Sequence, residues 1–204
     1  LLYKYMKVKI KQDDKIKEFK LISSWEDVNL ETWLELLKFS KKTKSKEAEE
    51  TIAALSNIPK ELIKKMAIRD VAIIMGKIAE MQQKGNNTLK KIITIEGKEY
   101  GFHPDLNEIT LGEYADLEQF IKNDIDKCLP EIVAILFRPV TKREKDIYEI
   151  EAYDAKINVR AELMKKMSAQ QVQNALVFFY SFVKILLIHL EWYSTEVQKE
   201  TKEQ

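Results

Sequence analysis

Polar and apolar positions alternate at the start of the chain, then recur at helical spacing, and the same change of period happens a second time. Residues Tyr5 to Ile10 alternate in character, Asp13-Asp14 supply turn chemistry, and Ile16 to Ile22 offer a second extended run, which together predict a β-hairpin. Asn29 then caps a helix whose apolar residues Leu30, Trp33, Leu34 and Leu37 fall three and four apart, with Leu36 and Phe39 widening the stripe. The like-charged run Lys41 to Lys46 reads as a solvated connector. Helices are predicted at about 47–57, at about 60–66 with Pro59 in the opening turn, and at about 69–83, before Gly85-Asn86-Asn87 ends the series.

The second hairpin is clearer. Ile92 to Glu96 and Glu99 to Phe102 flank a Gly97-Lys98 turn. Thr110 and Glu113 have capping-box spacing before a helix of about 111–124, Pro130 opens the next helix, and Pro139 is expected to stop it. After an extended stretch around Ile147 to Glu151, Asp154 caps a helix through about Met167. Ser168 with Gln171 forms a further capping box, opening a helix from about 169 to beyond 195.

Setting residues 18–39 on 99–120, an offset of 81, pairs Glu18 with Glu99, Leu30 with Leu111, Leu36 with Leu117 and Phe39 with Phe120. The substitutions keep physical roles: Phe19/Tyr100, Leu21/Phe102, Val28/Ile109, Asn29/Thr110 at the cap and Trp33/Tyr114 on the stripe. Further on, Glu61-Leu62-Ile63-Lys64-Lys65-Met66 matches Glu162-Leu163-Met164-Lys165-Lys166-Met167 at an offset of 101, so the second copy carries an insertion near 140–160. Chance similarity in a Lys/Glu/Leu-biased chain is the competing reading. The preserved order of the matches favours duplication. The expected fold class is therefore α+β, mainly helical: two divergent copies of a hairpin-plus-helices unit, residues 1–84 and 88–204, with a long C-terminal helix.

Composition narrows the function classes. The 34 Lys+Arg and 33 Asp+Glu are interspersed and leave a net charge of +1, which argues against a dedicated nucleic-acid binder. One cysteine, Cys128, cannot form an internal disulfide, and no cationic start leads into an apolar signal core, so a cytosolic protein is expected. The two histidines, His103 and His189, lie far apart without ligand-type neighbours at metal-binding spacing, and read as structural. Cys128 lacks a nucleophile signature. Asp124 and Asp126 would point about 200° apart on a helix, and the five glycines are dispersed, with no phosphate loop. No catalytic residue, cofactor site, metal site or small-molecule substrate is predicted.

The segment 175–192 is apolar nearly all round its helix: Leu176, Phe179, Val183, Leu186, Leu187 and Leu190 on one face, Val177, Phe178, Phe182, Ile185 and Ile188 on the others. Such a helix is buried centrally, docks a partner, or enters a membrane. The membrane reading puts Lys184 near mid-bilayer at about 2.5–3.5 kcal/mol, while each large apolar residue returns only about 0.3–0.6. Core and docking face both stay open, with Phe178, Phe179, Phe182, Leu186 and Trp192 as candidate partner anchors.

The stretch Glu96-Gly97-Lys98-Glu99-Tyr100-Gly101-Phe102-His103-Pro104-Asp105-Leu106, followed by Ile109-Thr110-Leu111-Gly112-Glu113-Tyr114 and Asp116-Leu117-Glu118, resembles a family encoded among the morphogenesis genes of tailed bacteriophages, in particular crAss-like phages of gut Bacteroidetes. Ile135-Leu136-Phe137-Arg138-Pro139, Tyr148 to Asp154 and Trp25-Glu26-Asp27-Val28 extend the likeness across about residues 16–190. Phe137, where tyrosine is commoner, and the charged tail Glu196 to Gln204 depart from it. The resemblance implies a non-enzymatic tail-assembly chaperone or minor virion component that binds other virion or tail proteins, or itself, in the host cytoplasm or within the particle. It transfers no functional residue. The alternative is a small regulatory module binding nucleic acid through Lys41, Lys42, Lys44 and Lys46.

Overall fold

The structure, a computed structural model, describes residues 5–12 and 15–200, without the side chains of 12 and 185–200. Among the described residues it is a mainly helical α+β fold of eight helices and six strands, with a long C-terminal helix. Strands β1 (Tyr5–Gln12) and β2 (Lys15–Ile22) form the first hairpin, with Tyr5 opposite Ile22 and Gln12 opposite Lys15. The Asp13-Asp14 turn lies outside the described residues. Alternation sends Val8, Ile10, Phe19 and Leu21 to a core and leaves Lys7, Lys9, Glu18 and Lys20 outside.

A 3-10 turn at Trp25–Asp27 leads to α1 (Leu30–Phe39), whose cap is the predicted one: the Thr32 amide donates to Asn29 Oδ1 at 2.8 Å. Next come α2 (Lys44–Leu55), α3 (Lys60–Ile63) and α4 (Ile68–Gln83). The lysine-rich connector is shorter than expected, because Lys44, Ser45 and Lys46 open α2. Lys44 pairs with Glu47 at 2.8 Å, and Lys46 with Glu49 at 3.1 Å and Glu50 at 3.3 Å, so carboxylates one turn on offset the like charges.

The second half repeats the order. Strands β3 (Ile92–Ile95) and β4 (Lys98–Phe102) are followed by a 3-10 turn at Leu106–Glu108, then α5 (Leu111–Asp124) and α6 (Leu129–Leu136). The hairpin turn is Glu96-Gly97, one residue earlier than predicted; both residues have positive φ, 51° and 80°, as a twisted two-residue turn requires. A second hairpin, β5 (Phe137–Glu144) and β6 (Ile147–Ile150), comes before α7 (Ile157–Met164) and α8 (Ala169–Glu200). It falls where the second copy was expected to be longer. At the offset of 81 one pairing agrees, the bridge Leu21↔Ser56 having the positions of the pair Phe102↔Phe137, whereas the hairpin registers differ, Phe19 facing Val8 and Tyr100 facing Ile93.

Three boundaries differ from expectation. Pro139 does not end α6; the helix stops at Leu136, and Pro139 sits inside β5 opposite Tyr100. Its missing amide is tolerated because its carbonyl alone is used on the β6 side, accepting from the Glu151 amide at 2.9 Å. Asp154 does not begin α7, because Ala155 takes φ +55° and the helix starts at Ile157. The Ser168–Gln171 capping box does not form. Gln171 instead accepts from the Lys90 amide at 2.8 Å and donates to the Thr88 carbonyl at 3.3 Å, while Ser168 Oγ is buried without a partner.

The sheet order is β3-β4-β5-β6, all antiparallel. Gly101 has no room for a side chain, since a Cβ there would lie 2.5 Å from Tyr148 Cε2. The Tyr148 ring crosses it and donates its hydroxyl to the Phe102 carbonyl at 2.6 Å. Burial pushes that phenol up to about 12.

Two core clusters form, one from Leu21, Trp25, Val28, Ile52, Leu55 and α4, the other from β4, α6, α7 and the start of α8. They interlock: Leu30 belongs to the second cluster and Ala169 to the first. Leu30 N donates to Met167 O at 2.8 Å, Ala169 N to Val28 O at 2.7 Å, and Trp25 Nε1 to Gln173 Oε1 at 2.9 Å. Among the described residues no helix is long and apolar enough to cross a membrane.

Candidate functional site

The first half of α8 has two unlike faces. Val172, Ala175 and Phe179 are buried in the second core cluster, whereas Val177, Phe178 and Tyr180 are 68%, 53% and 40% exposed. Val177, Phe178, Ser181 and Phe182 form one wall of a groove of about 800 Å³. Phe102, His103, Pro104, Leu106 and Tyr148 build the facing wall. Phe178 meets Phe102 edge-on with ring centres 5.6 Å apart, and Phe102 meets Phe137 at 5.3 Å, so a continuous aromatic path joins groove and core. One end of the groove is fixed by α8 side chains. Asn174 donates to the carbonyls of Asn86 and Thr88 at 2.9 and 3.0 Å, and Gln170 to that of Asn86 at 2.8 Å.

Beneath the His103 wall lies a buried charged cluster. Glu113, 1% exposed, closes the predicted capping box with Oε2, which accepts from Thr110 N at 2.8 Å and Thr110 Oγ1 at 2.6 Å. Its Oε1 lies 2.8 Å from Arg138 Nη2, an ion pair by distance that is not aligned as a hydrogen bond, and 3.7 Å from His103 Nε2, which carries charge only when protonated. Burial draws the Arg138 guanidinium below its ordinary value and the Glu113 charge opposes this; the group stays cationic. Glu113 thus serves as helix cap and as the anion that holds β5 on α5.

No family model, curated protein or solved structure matches this chain. Of the predicted anchors, Phe178 and Phe182 come together on the groove wall. Phe179 does not join them: it is 1% exposed and packs in the core, because one residue along a helix turns the side chain by about 100°. Leu186 and Trp192, like the His189 side chain, lie outside the described side chains. The lysines of the alternative reading face carboxylates at Lys44 and Lys46, and Lys42 lies over the Phe39 ring at 4.9 Å. Cys128 stands before α6, its thiol pushed up by burial and therefore protonated at neutral pH.

The Glu113–Arg138 pair was missed from the sequence, although one signal was present. Arg138 is the lone cation in the apolar run 129–140, and a cation that enters a core with its neighbours needs a buried anion. What the cluster can do is structural electrostatics: it fixes β5, and its two charges act on His103 in opposite senses, Glu113 raising and Arg138 lowering its pKa. Burial lowers the His103 pKa from its ordinary 6.5, with the Glu113 charge opposing. The native state thus favours neutral His103, and the unfolded chain binds the proton more readily. This contribution to stability is full above pH 6.5 and is lost as pH falls through the lowered native value. Urea unfolding at pH 7.5 and pH 5.5 is expected to give a smaller pH difference for His103→Gln than for the parent protein; an unchanged or larger difference would refute the assignment.

Proposed function

We propose that this protein is a non-enzymatic component of tailed-phage virion assembly, a tail-assembly chaperone or a minor structural protein, that grips another virion protein through the aromatic wall of α8. The observation that carries the docking half is the groove beside Phe178, where large apolar side chains stand exposed around a preformed concavity. The resemblance of residues 96–118, 135–139 and 148–154 to phage morphogenesis proteins supports the virion half. A partner that packs an apolar side chain against the exposed part of the Phe178 ring gains desolvated aromatic contact of the kind that dominates interface energies. Lys91 and Asp105, the charged residues of the groove lining, then select register rather than supply affinity.

Phe178→Ser combined with Phe182→Ser is expected to abolish partner capture and particle assembly while thermal stability falls far less than for a core substitution. Mass spectrometry of purified particles separates the two roles: presence at a defined copy number marks a structural component, and absence combined with a requirement for assembly marks a chaperone. A chain that is neither in the particle nor needed for its formation has neither role, and the reading is then wrong.

A further inference from the structure

A short backbone contact ties the two halves of the chain together. Residues 28–30 face residues 167–169 across the bridge Asn29↔Ser168. Leu30 N donates to Met167 O at 2.8 Å, Glu31 N to Lys165 O at 3.0 Å and Ala169 N to Val28 O at 2.7 Å. Val28, Leu30, Met167 and Ala169 are all buried, so the contact is dry as well as hydrogen-bonded.

At the offset of 81 residues 28–30 correspond to Ile109, Thr110 and Leu111, and at the offset of 101 residues 167–169 correspond to Met66, Ala67 and Ile68. The local backbone agrees at these positions. Val28 N donates to Trp25 O at 3.2 Å and Ile109 N to Leu106 O at 3.3 Å; Val172 N donates to Ser168 O at 3.0 Å and Val71 N to Ala67 O at 3.1 Å. The same two surfaces are thus built twice, and the second time nothing in the chain covers them: Leu111 is 84% exposed and Ile68 83%. The amides of Leu111, Gly112 and Ile68 and the carbonyls of Lys64, Met66 and Ile109 are the counterparts of the bonded groups, and among the described residues they have no hydrogen-bond partner. Exposed charges of opposite sign flank the two patches, Glu108 beside the first and Lys65 beside the second.

Halves related by a twofold axis would close both contacts inside one chain, whereas here one is closed and the other open. We propose that residues 109–111 of one molecule dock on residues 66–68 of a second copy, in the pairing that 28–30 and 167–169 make internally, so that copies associate head to tail. The internal contact identifies the occupant: the groups that satisfy 28–30 are those of 167–169, and the free counterpart of 167–169 is the 66–68 patch of another copy. A heterologous contact of this kind closes into a ring or continues as a filament, according to its rotation. It rests on the correspondence of the two halves and is independent of the virion reading.

The test compares the full chain with Leu111→Asp and Ile68→Asp by sedimentation velocity. Both side chains are exposed, so each variant should keep the fold, which its unfolding curve checks. The parent should associate as its concentration rises, and each variant alone should keep the mass of one chain. Mixing the variants should restore a one-to-one pair and nothing larger, since Leu111→Asp retains the 66–68 patch and Ile68→Asp the 109–111 patch. In the associated parent the amides of Leu111, Gly112 and Ile68 should exchange about tenfold more slowly than in dilute solution, a reading that needs no variant. A parent that stays a single chain at about 1 mM, enough to populate even millimolar contacts, overturns the proposal. So does self-association that survives either substitution, a mixture of folded variants that stays monomeric, or association that leaves those amides exchanging.

Discussion

Arg138→Ala should lower the unfolding free energy by about 3–5 kcal/mol, the usual cost of removing one partner from a buried ion pair. Glu113 is 1% exposed and Arg138 4%, so the variant strands a carboxylate that water cannot reach. The carboxylate cannot turn outward without breaking the cap of α5, because its other oxygen holds the Thr110 amide and hydroxyl. Glu113→Gln alone should also destabilise, since it keeps an acceptor for the cap but leaves the guanidinium uncompensated. Joined with Arg138→Met it should recover most of the loss, because both charges then leave the interior together. The measurement is urea unfolding of the parent protein, Glu113→Gln, Arg138→Met and their double variant at one pH, with Arg138→Ala alongside. Additive single-variant losses in the double variant would mean that the two side chains do not act as a pair.

The same cluster shows where sequence reading stops. Thr110 with Glu113 and Ser168 with Gln171 have the same spacing and the same local chemistry, yet only the first closes as a capping box. The second gives way to tertiary partners: Lys90 and Thr88 take up the Gln171 side chain, contacts across 81 and 83 residues of sequence that no local pattern encodes. Asn29, Thr110 and the two hairpins were legible because their signals act within a few residues. Pro139 was misjudged for the opposite reason. It does stand beyond a helix, but the chain leaves that helix directly into a strand, and the sheet position that tolerates a missing amide is set by where β6 lies.

The docking groove was legible only as a composition. The run of aromatic and aliphatic residues in α8 announces that something must cover it, and period alone spreads apolar side chains over every face. Which face is core is decided by α6, α7 and β4, whose contacts come from across the second half of the chain. The open edge of β3 had no local signal either. A four-residue strand reads the same whether it is central or marginal, and only the order β3-β4-β5-β6 makes it an edge.

Adjacent phenylalanines give the sharpest contrast. Phe179→Ala should cost about 3–5 kcal/mol, because a ring 1% exposed leaves a cavity in the second core cluster that a rigid interior does not refill. Phe178→Ala removes a ring that is 53% exposed, touching Phe102 on one edge, so its cost should stay near about 1 kcal/mol, the scale of one aromatic pair. Partner capture should follow the reverse order when both variants are assayed below their unfolding transitions: Phe178→Ala impaired in binding yet stable, Phe179→Ala unstable yet able to bind while folded. Equal losses of stability would place Phe178 in the core with Phe179 and remove the aromatic wall on which the docking proposal stands. Equal binding by both folded variants would move the partner elsewhere on the surface.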